Sequence, residues 1–263
     1  MAAPRATSPR TGIAALAGVV TGAAAGFIGV GGGEFRIPVL VEWVRLPLAA
    51  AGAVNLLVGL FTVGLSVYRR GGLQAQTSED LALVAVMSVA SLVGASIGAY
   101  VRDKLPRRPL KVVVCVYLGI VGVWMLYEAA IHREHVLFEP AGMIRLILAA
   151  VVALPIATVS GVLGVAGGEM RIPALLYLFG MPVTLAGTLS LIVSLPTLVA
   201  GVLTDRRLGA LPNAVLAIGV VMGLASAVGV LFGAALIPYA NRETIKGVLG
   251  AILVLAAAHM FVR

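Results

Sequence analysis

Two short stretches of the chain each hold a glutamate and an arginine between a run of glycines and a proline. The first contains Glu34 and Arg36, and the second contains Glu169 and Arg171. Both stretches are flanked by long apolar runs, where a charged side chain is costly and is mostly retained for function. Arginine suits an oxyanion, because its planar guanidinium donates to two oxygens at once. The two stretches are therefore the first candidates for a site that binds a small anion.

The composition identifies the surroundings of these charges as a membrane. Of 263 residues, 60% are hydrophobic and 11% are charged, whereas a soluble domain is roughly 25% charged. Two apolar runs have half the length that a span needs, Pro38–Leu46 and Pro173–Met181. The runs long enough to cross a bilayer as helices are Gly12–Val30, Ala49–Tyr68, Leu81–Val101, Leu110–Ile131, Ala141–Val165, Thr184–Leu203, Asn213–Ile237 and Thr244–Val262. We expect a multi-pass, all-α integral protein of the cell membrane, in contact with the lipid bilayer.

The chain repeats itself with an offset of 135 residues. Residues 20–128 and 155–263 align without a gap and share 35 identities in 109 pairs. The first apolar run resembles a secretory signal, but its counterpart is an internal span, so we expect it to be a retained helix. The repeat predicts two transmembrane halves, 1–132 and 133–263. Each half has four full spans and one half-length helix after a glycine-rich break.

Several classes of function do not fit this sequence. The net charge is +8, but the basic residues lie between apolar runs, where they orient spans, so we expect no nucleic-acid partner. Three scattered histidines and the single Cys115 form no metal-binding pattern. The glycine run lacks the strand that precedes a dinucleotide loop, and no catalytic constellation stands out. We therefore expect no cofactor, no metal and no enzymatic activity.

The duplicated glycine-to-proline motif resembles that of the TauE/SafE permeases, the sulfite and organosulfonate exporter superfamily. The motif runs from Gly29 to Pro38 and again from Gly164 to Pro173, and the likeness extends over nearly the whole chain. The resemblance implies passage of small anions, often oxidised sulfur species, across the cytoplasmic membrane. The charged pairs within the motif differ from the mostly apolar residues that are usual there in the family.

The physics of the motif predicts a break in each half. Glycine runs and a proline both disfavour helix, so we expect residues 30–37 and 165–172 to be unwound, with helix restarting at Pro38 and Pro173. Free N–H groups and a new helix start would then face a small anionic substrate near the middle of the membrane. The predicted binding residues are Gly32, Gly33, Glu34, Arg36, Pro38, Asn55, Gly167, Gly168, Glu169, Arg171, Pro173 and Ser190.

Structural alternatives exist for the same residues. The glutamates and arginines of the two motifs could simply neutralise each other and lock the halves together. Asn55 and Ser190 could hydrogen-bond between helices rather than to a ligand. Glycines outside the motif are better explained by close helix packing, namely Gly18, Gly22, Gly94, Gly98, Gly229 and Gly233.

Loop charge favours one of two topologies. If the short helices cross the membrane, the repeats are inverted and 12 Lys/Arg lie inside against 7 outside; if they are re-entrant, the repeats are parallel and the counts are 9 and 10. The inverted arrangement favours a transporter that works by alternating access, with a proton or sodium as coupling ion. A channel-like anion facilitator and a non-transporting scaffold subunit are the alternatives, and a homo-oligomer is compatible with each.

Overall fold

The structure of the chain is a computed structural model that describes residues 8–28, 32–69, 78–130 and 141–236, with isolated residues between 247 and 262. These residues form helices and no strands, which confirms the expected all-α class. A π-helical turn, Val39–Trp43, follows α2. The helices are α1 Ser8–Ile28, α2 Gly33–Pro38, α3 Leu48–Arg69, α4 Ser78–Lys104, α5 Arg107–Ala130, α6 Gly142–Leu163, α7 Gly168–Phe179, α8 Val183–Arg207 and α9 Asn213–Leu236.

Five helices are long and apolar enough to cross a membrane, namely α3, α4, α6, α8 and α9. They match five of the predicted spans. In α1 and α5 the apolar segments are shorter, Thr11–Gly26 and Cys115–Trp124, and the last predicted span lies largely outside the described residues. The apolar windows of α3 and α8 are 67% buried, against 33–44% for α4, α6 and α9. The pair α3 and α8 therefore forms the centre of the protein, and the other helices turn apolar side chains outward.

Glycines bring two helix pairs into backbone contact, α1 with α9 and α4 with α6. A β-carbon on Gly18 would lie 2.5 Å from the carbonyl oxygen of Met222, and one on Gly94 would lie 2.5 Å from that of Leu154. No side chain fits in such a gap, so only glycine permits these approaches. The predicted packing role is confirmed for Gly18, Gly22, Gly94, Gly98, Gly229 and Gly233.

The contacts of α9 define the directions of the helices beside it. Gly18 faces Met222 and Gly26 faces Val230, so α1 and α9 run parallel. By the same reasoning α3 is parallel to α9, because Leu57 contacts Gly219 and Phe61 contacts Gly223. The helices α1 and α3 therefore run in one direction. The chain between Ile28 and Leu48 must return to the side on which α1 begins.

The helices α4, α6 and α8 run the other way. The helix α8 is antiparallel to α3, with Gly59 against Leu198 and Gly201 against Leu56. Near one end of the protein, Arg102 of α4 pairs with Asp205 of α8 and touches Gly52 in the first turns of α3. Since α4 and α8 end where α3 begins, both oppose it, and α6 packs parallel to α4 through the contacts of Gly94 and Gly98.

The breaks are shorter than the sequence predicted. Gly32 and Gly167 adopt left-handed backbone angles, with φ of 66° and 74°, and helix begins at the next residue in each half. The expectation of an unwound chain is therefore confirmed at 165–167 and wrong at 33–37 and 168–172, where both arginines lie in the first turn of a helix. Glycine alone provides the break, because its positive φ turns the chain without a steric penalty.

Helix also does not restart at the prolines. Pro38 is the last residue of α2, and α7 continues past position 173 to Phe179. A proline inside a helix cannot donate to the carbonyl four residues earlier, and its ring crowds that carbonyl. In the first half the helix widens directly afterwards into the π-helical turn, where the Val44 N–H donates to the Val39 carbonyl at 3.1 Å. The helical path therefore continues past the proline, into a π-helical turn in the first half and as α-helix in the second.

Candidate functional site

The guanidinium of Arg36 is completely buried beside the first break. Its Nε donates to the carbonyl of Gly32 at 3.1 Å, because Arg36 lies four residues further along the chain and folds back over the break. Its Nη1 donates to the carbonyl of Asn55 at 3.4 Å and its Nη2 to the Thr62 hydroxyl at 3.3 Å. Arg36 thus links the start of α2 to two turns of the central helix α3.

Arg171 occupies the equivalent place in the second half and is also completely buried. Its Nη1 donates to the carbonyl of Ser190 at 3.0 Å and to the Ser194 hydroxyl at 2.9 Å. In both halves the arginine of the short helix therefore reaches the carbonyl of the residue 19 positions later, on the following long helix. Asn55 and Ser190, paired in the sequence by the repeat, thus stand at equivalent points of the structure.

The glycine at the start of each short helix faces the side chain of the residue whose carbonyl binds the arginine, Asn55 in the first half and Ser190 in the second. A β-carbon on Gly33 would lie 2.9 Å from Asn55 Nδ2, and one on Gly168 would lie 3.5 Å from Ser190 Oγ. Asn55 Oδ1 and Ser190 Oγ are buried and make no hydrogen bond to the described residues. Each break therefore presents a bare glycine backbone and an unused polar atom at the same point, an arrangement that a small polar ligand can use.

One hydrogen bond links these elements across the two halves. Asn55 Nδ2 donates to the carbonyl of Gly164, in the second break, at 2.7 Å. The antiparallel register of α3 and α8 places Asn55 opposite Val202, roughly 18 Å along α8 from Ser190. Asn55 and Ser190 therefore lie at different depths, whereas the hydroxyls that accept from the two arginines lie near one level, because the same register places Thr62 opposite Leu195, next to Ser194. The contacts of the two arginines form two equivalent groups, the Arg36 cluster and the Arg171 cluster.

Three of the predicted binding residues have side chains outside the described part of the structure. The side chains of Glu34, Glu169 and Pro173 are outside the described residues, so the pairing of glutamates with arginines stays a prediction. Gly167 lies against the Ser160 side chain. Pro38 is half-buried at the end of α2.

Sequence reasoning missed a buried ion pair near the first cluster. Arg102 Nη2 donates to Asp205 Oδ1, with side chains 2% and 1% exposed. The sequence places Arg102 at the end of an apolar run, next to a basic loop, and Asp205 directly before two arginines. No local pattern joins two residues 103 positions apart, and the repeat gave no help because neither is duplicated.

The helices and the two glycine breaks define a multi-pass membrane protein with buried arginines at the starts of short helices. The family model described as "Sulfite exporter TauE/SafE" matches residues 14–260. The chain belongs to this family, as its duplicated motif suggested.

A curated relative agrees with this assignment. It is described as "Probable membrane transporter protein MJ0441" from Methanocaldococcus jannaschii and is 25% identical over 117 residues. The matching region covers 42% of this chain and 43% of the relative, so less than half of that protein is compared. No solved structure matches the chain significantly.

Proposed function

We propose that this protein is a secondary transporter that exports a small oxyanion, such as sulfite or a sulfonate, by alternating access. The observation that carries the proposal is the pair of completely buried arginines, each beside a glycine break. A buried guanidinium is costly unless it serves a structural or ligand-binding purpose. The family description supports an exporter, and the relative's printed name supports a membrane transporter.

An anion could replace two hydrogen bonds that Arg36 donates to α3. Its bonds to Asn55 and Thr62, at 3.4 and 3.3 Å, are longer than the usual 2.9–3.0 Å of an N–H···O bond. Their acceptors are a neutral carbonyl and a neutral hydroxyl, whereas an oxyanion would offer shorter, charge-assisted bonds. These two bonds to α3 are thus weak contacts that a substrate oxygen can replace.

The helix directions support alternating access. Helices related by the 135-residue offset run in opposite directions, as in α1 and α6 or α3 and α8. Inverted repeats with broken helices are the framework in which one half rocks against the other around a central site. Under this proposal the anion passes between the Arg36 and Arg171 clusters as the central pair changes its packing. The coupling ion is a proton or sodium.

Flux into proteoliposomes tests the proposal. Purified protein is reconstituted, and uptake of sulfite and of a simple sulfonate is measured with a proton gradient, a sodium gradient and neither. We expect uptake above protein-free liposomes that increases with one gradient. Equal flux under all three conditions would instead identify a channel-like facilitator. Absence of flux for sulfite, sulfonates, carboxylates and inorganic anions would leave a scaffold role and refute transport.

Matched variants separate the site from the rest of the protein. Arg171→Lys keeps the charge but loses the planar fork, so we expect slower uptake of the anion. Arg145→Lys, in a partly exposed ion pair with Glu79, is the control and should transport normally. If both variants transport equally well, the arginines at the breaks do not serve the substrate.

A further inference from the structure

The Arg102–Asp205 ion pair joins the two halves of the chain at one end of the protein. It connects α4 of the first half to α8 of the second half, and both side chains are almost completely buried. The other ion pairs of the described residues join Arg145, which is 17% exposed, to Glu79 and Asp80, which are 81% and 9% exposed. A buried ion pair between helices of different halves is a stronger constraint on their relative position than a pair at the surface.

The pair lies directly over the second break. A β-carbon on Gly52 or on Gly164 would be 2.8 Å from Arg102 Nη1, so the guanidinium fills the space that these two glycines leave open. The carbonyl of Gly164 also accepts the hydrogen bond from Asn55, and Asn55 lies one turn of α3 after Gly52. The ion pair therefore closes the Arg36 cluster on the side where α4 and α8 end.

The pair is not optimised as a purely structural link. Arg102 Nη1 and Asp205 Oδ2 are both buried and have no hydrogen-bond partner among the described residues. Breaking a buried ion pair is normally expensive, because the charges are left uncompensated. Here two unsatisfied polar atoms would regain water if α4 and α8 moved apart, which lowers the cost of opening.

The repeat has no equivalent of this pair at the opposite end. The counterparts of Asp205 and Arg102 at the 135-residue offset are Arg70 and Ile237. An arginine and an isoleucine cannot form an ion pair. The Arg102–Asp205 pair therefore has no repeat-related counterpart, and at the opposite end Arg145 pairs with Glu79 and Asp80 in a more exposed position. Arg102 and Asp205 lie on the side that loop charge predicts to be cytoplasmic.

We propose that Arg102 and Asp205 form the gate on this side, and that the described conformation has the gate closed. The proposal rests on the proposed transport function and adds the residues that must separate in each cycle. Opening parts α4 from α8, uncovers Gly52 and Gly164 and admits water to the Arg36 cluster. While Arg102 and Asp205 are paired, they hold the second break, at Gly164, against α3 until the central helices repack.

The test measures access to the site rather than transport. Thr62, whose hydroxyl accepts the bond from Arg36, is replaced by cysteine in a Cys115→Ser background. A membrane-impermeant thiol reagent is applied from each side of sealed vesicles. With the ion pair neutralised by Arg102→Gln and Asp205→Asn, we expect labelling from the α4 and α8 end to accelerate about tenfold, since ~1.4 kcal/mol in the open–closed equilibrium is a factor of ten.

Two further variants keep the result interpretable. Exchanging the charges, with Arg102→Asp and Asp205→Arg, should restore slow labelling if the ion pair itself is the closure. Neutralising the other ionic group with Arg145→Gln, Glu79→Gln and Asp80→Asn is the matched control and should leave the labelling rate from the α4 and α8 end unchanged.

Each outcome bears on the gate separately from transport. Labelling that stays slow in the neutralised variant, or that accelerates equally from both sides, would refute the gate. If the neutralised variant does not fold, the charge-exchanged variant decides: slow labelling supports the gate, and fast labelling refutes it. A protein that moves no anion but shows the side-specific acceleration would refute the transport proposal and leave the closure standing.

Discussion

Alanine substitutions at Asn55 and Ser190 should differ in their effect on stability, although the two residues occupy equivalent positions. Asn55 Nδ2 donates to the carbonyl of Gly164 at 2.7 Å, whereas Ser190 Oγ is buried and has no hydrogen-bond partner among the described residues. One side chain therefore holds the two halves together, and the other presents an unused hydroxyl beside Gly168.

The expected magnitudes follow from this difference. Asn55→Ala leaves the Gly164 carbonyl without its donor at a buried position, which typically costs about 1–3 kcal/mol. Ser190→Ala removes a hydroxyl that is desolvated without compensation, so it should leave stability unchanged or raise it by up to ~1 kcal/mol. Thermal unfolding of the two variants in the same detergent measures the difference.

The same substitution at Ser190 should weaken binding. A hydrogen bond from a hydroxyl to an anion contributes about 1.5–3 kcal/mol, which corresponds to roughly a 10- to 100-fold loss of affinity for sulfite. Titration of the purified variant with sulfite gives this number. The combination of unchanged stability and weaker binding is the signature of a residue kept for its ligand.

Two results would refute this reasoning. A melting temperature for Ser190→Ala as low as that of Asn55→Ala would mean that the hydroxyl serves the fold. Unchanged sulfite affinity in a folded Ser190→Ala protein would exclude the hydroxyl from the site. The variant Ser190→Leu fills the space beside Gly168 and shows how much affinity is lost through steric blocking alone.

Three further predictions address the breaks and the topology. Gly33→Ala should destabilise the protein by about 1–3 kcal/mol, because its β-carbon would lie 2.9 Å from an amide nitrogen, whereas Gly168→Ala at 3.5 Å should be tolerated; equal melting temperatures would contradict this. Arg36→Lys should reduce anion affinity about tenfold through loss of the fork, and wild-type affinity in the folded variant would make Arg36 structural. Of single cysteines replacing Arg70 and Arg107, the one at 70 should react with an impermeant reagent on intact cells; the reverse pattern would invert the orientation.

The sequence predicted the positions of the breaks but not their extent. The repeat identified Arg36 and Arg171 as equivalent residues, and the structure gives them equivalent contacts. The sequence pattern extends the unwound stretches too far along the chain, because proline is typical of the first position of a helix. The glycines break the helix earlier, and the helical path continues past Pro38 into a π-helical turn.

Contacts between distant parts of the chain were beyond sequence reasoning. The link from Asn55 to Gly164 and the pair of Arg102 with Asp205 both join different halves. Such contacts depend on the register between packed helices, which single residues in an apolar run do not encode. The packing glycines were predictable, because small residues at regular spacing have few other uses in a membrane helix.

The pairing of α1 with α9 has a consequence for biogenesis. Gly18, Gly22 and Gly26 on α1 pack against carbonyls of residues 222, 226 and 230, which the ribosome adds long after α1 has been made. Until α9 is inserted, the glycine face of α1 has only lipid or temporary neighbours against it. Synthesis at 5–20 residues per second makes this delay on the order of ten seconds or more. The final packing of the first helix must therefore wait until nearly the whole chain has been translated, so truncation before α9 would leave α1 without its partner.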